Sequence, residues 1–512
     1  MKKIKCSIRV LLIIAFIFIV CILCNSADWL TQTFGRLDFS TVLYQLNSPM
    51  QGTGHEILNE YIINCLIKTI LETIILLLSY LMIRKISQRL ILQIKFNIFD
   101  TSKTFTLFTK KCNYILKIFL MSMVAIVLYS KVCQVGIPQY INKISHASSF
   151  YEQYYVAPDS VQIKFPEHKN NLIYIYMESM ETTYASKTVG GGKDINYITN
   201  LTRLAEQNIS FSDTDQLGGY ISYGGTGWTM AALLASTSGV PYLLPIEGNS
   251  VGDYKEILPG LTTLGDILKD EGYDNYFMCG SDASFGGRKL YFEQHGGYDI
   301  LDYYTAIEDG LISEDYYEFW GFEDSKLYQY AKNKLEIISQ KNQPFNFTLL
   351  TVDTHHMNGY ICNLCRNEYE EDYANVISCA DRQILEFIDW IKQQDWYEDT
   401  TIVIVGDHTS MNNNFWDDLD TDYNRRVYNC FINTKIDKKN VDYNYRIFYS
   451  MDLFPTTLAA LGAKIEGNRL GIGTNLFSDV KTIGEEIGQE EFETESLKYS
   501  KYYNEYFIGK SF

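Results

Sequence analysis

A glutamate, an aspartate and a histidine in the second half of the chain each follow directly on an apolar run. Asn171–Met177 leads into Glu178, and residues 400–405 lead into Gly406-Asp407-His408. Two more runs end in groups that bind anions or move protons: 275–279 leads into Gly280-Ser281-Asp282, and 345–352 into Asp353-Thr354-His355-His356. Two carboxylates and an imidazole form a donor set suited to Mn²⁺, Zn²⁺ or Mg²⁺. A lone Asp-His pair after a strand is more often a structural loop contact. A glutamate at the end of a second strand shifts the balance toward a ligand set.

Such a site needs a nucleophile. The segment Ser222-Tyr223-Gly224-Gly225-Thr226-Gly227-Trp228-Thr229 stands just ahead of a short apolar helical run. Glycines let a backbone approach a ligand closely, and the following helix start offers unpaired N–H groups to an anion. A hydroxyl there can be activated by direct metal coordination. Thr226 has a glycine on each side and is the first candidate, with Ser222 and Thr229 as other hydroxyls within four residues. The structural alternative is a glycine-rich turn in which Thr226 or Thr229 merely caps the helix.

The elements that must position these groups follow from periodicity. Apolar runs of this length read as buried strands. Helical patterns lie between them at 195–207, 229–235, 261–271, 324–340 and 373–394. This alternation predicts a mainly parallel sheet covered by helices on both faces, with the ligand site outside the carboxyl ends of the strands. The α/β domain is expected over residues 166–480, behind a connector at 136–165 and ahead of an acidic, aromatic tail at 481–512 read as a surface helix or partly ordered end.

The first 135 residues have a different character. They hold 15 Lys+Arg against 6 Asp+Glu, whereas the whole chain has a net charge of −18. The acidic remainder argues against nucleic acid as partner, because phosphate backbones are bound by cationic contacts. Three apolar stretches, 10–24, 61–83 and 115–129, predict about three transmembrane helices. The first follows Lys2, Lys3, Lys5 and Arg9 but lacks a small-x-small cleavage site before Asn25, so it reads as an uncleaved anchor. Within the second, Lys68 and Glu72 lie four apart and are expected to pair. Segment 25–60 carries only Arg36, whereas 84–111 carries Arg84, Lys85, Arg89, Lys95, Lys103, Lys110 and Lys111. The positive-inside rule then places the loop 84–111 in the cytoplasm and the α/β domain on the extracytoplasmic face of a multi-pass membrane protein. Of the 11 cysteines, Cys362 and Cys365 form the only CxxC, with no second pair at zinc-ribbon spacing, so they read as a local disulfide or two free thiols and not as a metal site.

The stretches 171–180 (NLIYIYMESM), 225–229 (GTGWT), 353–356 (DTHH) and 406–408 (GDH) resemble, in order, those of the sulfatase-like phosphoglycerol transferases. This family includes lipoteichoic acid synthases and the osmoregulated periplasmic glucan phosphoglycerol transferases, the latter being more similar here. The resemblance covers about residues 165–480 and implies an alkaline-phosphatase/sulfatase-like fold behind membrane spans. It implies a metal site of Glu178, Thr226, Asp407 and His408 holding a divalent ion, Mn²⁺ first with Mg²⁺ or Zn²⁺ as alternatives, and Thr226 as nucleophile. Ser284-Phe285-Gly286-Gly287-Arg288 is similar to the family's substrate loop, with Arg288 as phosphate ligand and Gly286 where lipoteichoic acid synthases have tryptophan. One of His355 and His356 corresponds to the substrate-binding histidine.

The implied reaction moves glycerol phosphate from phosphatidylglycerol, through a threonine-linked intermediate, to a glycan, glycolipid or teichoic-acid acceptor at the bilayer. The alternatives are a phosphoethanolamine transferase and a phosphodiesterase or sulfatase-type hydrolase of the same fold. The sulfatase variant is disfavoured, because no Cys/Ser-x-Pro-x-Arg context for formylglycine surrounds Thr226.

Overall fold

A computed structural model of the chain describes residues 2–34, 59–87, 93–98, 101–106, 110–138, 141, 147–243, 256–416, 419–436 and 441–509. Arg36 and Arg89, two of the basic residues on which the orientation rests, fall outside the described residues, while Gln93–Ile98 and Thr101–Thr106 within the 84–111 segment pair as antiparallel strands. The chain divides into two compact units, one formed by the N-terminal helices and one that includes Ile141–Phe512.

In the first unit, apolar runs free of Pro and Gly form α1 (Lys2–Phe34), α2 (Lys68–Ser87, preceded by a π-helical turn at Ile62–Ile67) and α3 (Lys110–Gln134). Leu11–Gln32 and Asn59–Met82 are long and apolar enough to cross a membrane; the apolar part of α3, Ile118–Gln134, is shorter than the roughly 20 residues a span requires. Leu11, Phe16, Ile75, Leu78 and Met82 are exposed, as lipid-facing side chains would be. The polar groups turn inward. Asn25 Nδ2 donates to Glu72 at 2.8 Å and to Thr69 at 3.1 Å, and Lys131 pairs with Asp28. Among the described residues Glu72 has no ion pair with Lys68, because Asn25 on the neighbouring helix occupies it.

The second unit is built on a six-stranded sheet. Its strands are β1 (Asn171–Met177), β2 (Asp274–Cys279), β3 (Asp299–Leu301), β4 (Phe345–Leu350), β5 (Thr400–Gly406) and β6 (Asn429–Ile432), in spatial order β3-β2-β4-β1-β5-β6. All neighbours are parallel except β6, which runs antiparallel to β5. Successive side chains alternate between faces, and both faces are apolar here. Tyr174, Tyr176, Phe277, Val403 and Val405 pack under α5 (Thr229–Ser238), α6 (Leu264–Asp270) and α10 (Leu453–Ala460). Ile173, Ile175, Phe347, Leu349, Ile402 and Ile404 pack under α4 (Thr199–Gln207), α8 (Asp324–Ile338) and α9 (Asp372–Ile391). The four central strands thus end on one edge, with helices α4–α10 (α7 being Arg288–Gln294) filling both layers.

Two expected boundaries shift. The connector at 136–165 contributes Phe150 and Tyr151 to the core, and its Ile163–Lys164 strand pairs with Lys464–Ile465. The tail at 481–512 is not a surface appendage: Phe492, Tyr503 and Phe507 are buried against Phe150 and Tyr151. Both segments close the same end of the core, so neither is separable from the α/β unit.

Candidate active site

Register explains the convergence. Met177 is aligned with Gly406 in the parallel β1–β5 pair, so the residues that follow, Glu178 and Asp407-His408, emerge side by side. Ligand atoms of Glu178, Asp407 and His408 all lie within 4.8 Å of one another. His408 Nε2 is 3.5 Å from Glu178 Oε1 and 3.4 Å from Asp407 Oδ2, and all three residues are buried. Gly406 permits this approach, since a Cβ there would lie 1.9 Å from the Met180 carbonyl oxygen.

The donor set is pre-aligned. His408 Nδ1 donates to the Thr409 carbonyl at 2.9 Å, which leaves the Nε2 lone pair facing the carboxylates. Asp407 Oδ1 accepts from the backbone N–H groups of Ser179 (2.7 Å) and His408 (2.8 Å). Its Oδ2 is buried without a hydrogen-bond partner, an arrangement that costs free energy unless a cation or proton meets it. Burial and then the Glu178 charge push Asp407 up to about 7. Burial opposes a charged His408, yet Asp407 and Glu178 outweigh it and raise its pKa. A divalent cation suits these residues: two carboxylates, one correctly oriented imidazole and an orphaned oxygen directed into the cluster.

Two hydroxyls touch the cluster: Ser179 Oγ donates to Glu178 Oε1 at 2.8 Å, and the Thr229 hydroxyl reaches both Glu178 and His408. Thr229 Oγ1 donates to Glu178 Oε2 at 3.1 Å and lies 3.5 Å from His408 Nε2. Thr229 is the first residue of α5, after the extended N-cap residue Trp228, whose side chain makes no cap bond. The Thr226 hydroxyl turns the other way, donating to the Tyr223 carbonyl at 3.0 Å and accepting from the Tyr223 N–H at 3.1 Å. Gly225, at φ 83°, completes that turn in a conformation that favours glycine. The glycines therefore shape a turn that presents α5, and the expectation that Thr226 sits on the ligand set is corrected to Thr229. The signal available in the sequence was the helix start itself, whose first residue is Thr229.

Arg288 is buried at the end of β2. Its Nε donates to Phe285 O at 2.9 Å, and its Nη2 donates to Ser281 Oγ (3.1 Å) and Asp282 O (2.8 Å), which fixes the guanidinium plane. His355 follows β4 and feels the charges of His408, Asp407 and Arg288; desolvation pushes its pKa down to about 4. Its Nδ1 donates to His356 O at 2.6 Å, leaving Nε2 as the acceptor. His356 is the more deeply buried of the doublet, with its pKa pushed down to about 3 by desolvation and the neighbouring His355.

One residue escaped the sequence reading. Trp320, in the segment before α8, packs its ring 4.7 Å from His355 and 5.4 Å from Phe285. It brings an indole beside the substrate loop although Gly286 occupies the position read as the tryptophan site. Nothing in the surrounding residues marks it, because its place depends on the fold.

A family model described as Sulfatase matches residues 170–463. A phosphoglycerol transferase I from Salmonella choleraesuis is 34% identical over 319 residues, 61% of this chain and 40% of that protein. The chain therefore spans about two-fifths of that relative's length. Among solved structures, a protein in the alkaline phosphatase superfamily from Vibrio parahaemolyticus aligns with TM-score 0.48 at 22% identity, over 63% of this chain and 72% of the other. The lipoteichoic acid synthase LtaP from Listeria monocytogenes aligns with TM-score 0.47 at 20% identity, over 62% and 79%.

Proposed function

The chain is a member of the sulfatase family, and from that footing we propose that it is a membrane-anchored, metal-dependent phosphoglycerol transferase. It takes sn-glycerol phosphate from phosphatidylglycerol and passes it to an extracytoplasmic glycan, glycolipid or teichoic-acid acceptor. The observation that carries the proposal is the Thr229 hydroxyl, 3.1 Å from Glu178 and 3.5 Å from His408 at the head of a helix. A threonine cannot mature to formylglycine, so this position favours phosphoryl transfer over sulfate-ester hydrolysis. The similarity to phosphoglycerol transferase I supports glycerol phosphate as the group moved, and the apolar α1 and α2 suit a lipid donor.

Glu178, Asp407, His408 and the Thr229 hydroxyl would hold the divalent ion, which when bound supplies Lewis-acid stabilisation of phosphoryl charge and a lowered hydroxyl pKa. The resemblance puts Mn²⁺ first, with Mg²⁺ and Zn²⁺ as alternatives. Thr229 Oγ forms a bond to phosphorus as the bond to the diacylglycerol oxygen breaks. The acceptor oxygen then attacks the same phosphorus and frees Thr229. Arg288, held planar, binds a phosphoryl oxygen through both steps. His355, kept neutral by its low pKa and with Nε2 accepting, takes a hydrogen bond from the glycerol or acceptor hydroxyl; the same low pKa makes it a weak base, so it orients that hydroxyl rather than taking its proton. In this reading three crossings leave the α/β unit outside the cytoplasm, so the chemistry runs on the extracytoplasmic face.

The test is incubation of the detergent-purified full chain with phosphatidylglycerol labelled in its glycerol headgroup, in the presence of Mn²⁺. Release of diacylglycerol with label retained on protein or passed to an added glycan supports the reading. Free glycerol phosphate as the only labelled product, with no protein-bound label, supports a phosphodiesterase instead. Inert phosphatidylglycerol alongside turnover of phosphatidylethanolamine supports the phosphoethanolamine alternative.

A further inference from the structure

The fold brings a third cysteine to the CxxC. Cys362 and Cys365 lie in the loop that continues from His355-His356, joined by a turn in which Cys365 N–H donates to Cys362 O at 3.1 Å. Cys379 reaches them from α9. The Cys362 Sγ is 3.7 Å from Cys365 Sγ and 3.9 Å from Cys379 Sγ, and all three sulfurs lie within 4.8 Å of one another. A tetrahedral zinc ion with Zn–S bonds of about 2.3 Å separates its sulfurs by about 3.8 Å. A disulfide needs about 2 Å between sulfurs and uses two of the three.

A fourth group completes the set. Gln383 is one helical turn beyond Cys379 and is buried. Its side-chain amide lies against the sulfurs, with Nε2 3.5 Å from Cys379 Sγ and 3.9 Å from Cys362 Sγ, while its Oε1 is buried with no hydrogen-bond partner. The amide oxygen and nitrogen are interchangeable by a flip about the last torsion. In the flipped orientation the orphaned oxygen faces the thiols as a neutral fourth donor.

We propose that Cys362, Cys365, Cys379 and Gln383 form a second metal site, selective for a soft divalent cation of the zinc class, distinct from the carboxylate site at Glu178, Asp407 and His408. Three thiolates select soft metals over Mn²⁺ or Mg²⁺. Four protein donors leave no open position, so the site is structural. It fastens the loop leaving Asp353–His356 to α9, holding the segment that carries His355 without touching substrate. Each thiol loses its proton on binding, so loading releases protons and strengthens as pH rises.

The test uses the detergent-purified full chain with Asp407→Ala, which disables the carboxylate site, stripped with chelator and reductant and then titrated with Cd²⁺. The expected result is a thiolate-to-cadmium charge-transfer band saturating at one equivalent and lost in Cys362→Ser and Cys379→Ser. Should those variants fail to fold, Zn²⁺ added to the Asp407→Ala protein should shield Cys362, Cys365 and Cys379 from iodoacetamide, mapped by peptide mass spectrometry, until chelator is added. The proposal is overturned by the absence of the band, by its persistence in folded cysteine variants, by unshielded cysteines, or by recovery of a disulfide between any two of the three from protein isolated without reductant.

Discussion

At the scale of single residues, two threonines three positions apart have different surroundings, and Thr229 meets the ligand set. Thr229→Ala removes the hydroxyl that meets both Glu178 and His408, so diacylglycerol release should fall by several orders of magnitude, as expected when a nucleophile is deleted. Metal content should persist, because Glu178, Asp407 and His408 remain. Thr226→Ala should instead cost about 1 kcal/mol of stability through its lost turn hydrogen bonds, with diacylglycerol release continuing; calorimetry and a lipid assay separate the two outcomes. The carboxylates add a pH signature. Asp407 is lifted to about 7, and burial lifts Asp324 and Asp452 to about 7 as well. Between the ordinary carboxylate range and pH 7 these aspartates bind more protons in the native state than in the unfolded chain and outnumber His355 and His356, whose lowered pKa acts the opposite way, so metal-free stability declines as pH rises through this window. Melting temperatures of chelated protein from pH 4 to 8 should fall, and a saturating divalent ion should offset the decline above pH 6. A chelated protein that grows more stable from pH 4 to pH 7 would contradict this balance of charges.

At the scale of elements, the nucleophile loop depends on segments distant in sequence. Tyr223 OH is 2.9 Å from Ser496 Oγ, and Tyr503 OH donates to Pro241 O at 2.9 Å while accepting from Leu243 N–H at 3.1 Å. The C-terminal residues thus brace both sides of the turn that presents α5. Phe507→Ala, which empties a buried site beside Tyr151 and Tyr503, should cost roughly 3–4 kcal/mol and lower turnover, read by denaturant unfolding and by diacylglycerol release. α9 has a similar task at the opposite face. Tyr373 OH donates to Thr354 O at 2.9 Å and meets Ser410 Oγ at 2.9 Å, tying together the loops after β4 and β5.

The strands and main helices were legible because their apolar runs are long and buried on both faces. β6 was not: four residues, Asn429–Ile432, carry too little pattern to stand out. The tail was misjudged because its buried aromatics are spaced among acidic residues and meet partners more than 300 positions away. The same limit hid Trp320 and the third thiol, Cys379. That Thr229 rather than Thr226 faces the ligand set has a subtler origin. Flanking glycines describe how a turn bends, whereas the direction of a hydroxyl is set by the helix that follows.

At the scale of the whole molecule, the chain joins apolar helices able to cross a membrane to an acidic α/β unit of the sulfatase family. The proposed orientation rests on seven basic residues in 84–111 against Arg36 alone in 25–60. Protease added outside spheroplasts should release the α/β unit, and its full protection would reverse the topology. The most direct test of the central claim is to trap the covalent intermediate. The full chain is mixed with phosphatidylglycerol and Mn²⁺ without acceptor, quenched in acid, digested and read by peptide mass spectrometry. A glycerophosphoryl adduct is expected on Thr229 and absent from Thr229→Ala. An adduct on Thr226 or Ser222, or turnover with no adduct on any residue, would contradict Thr229 as the nucleophile.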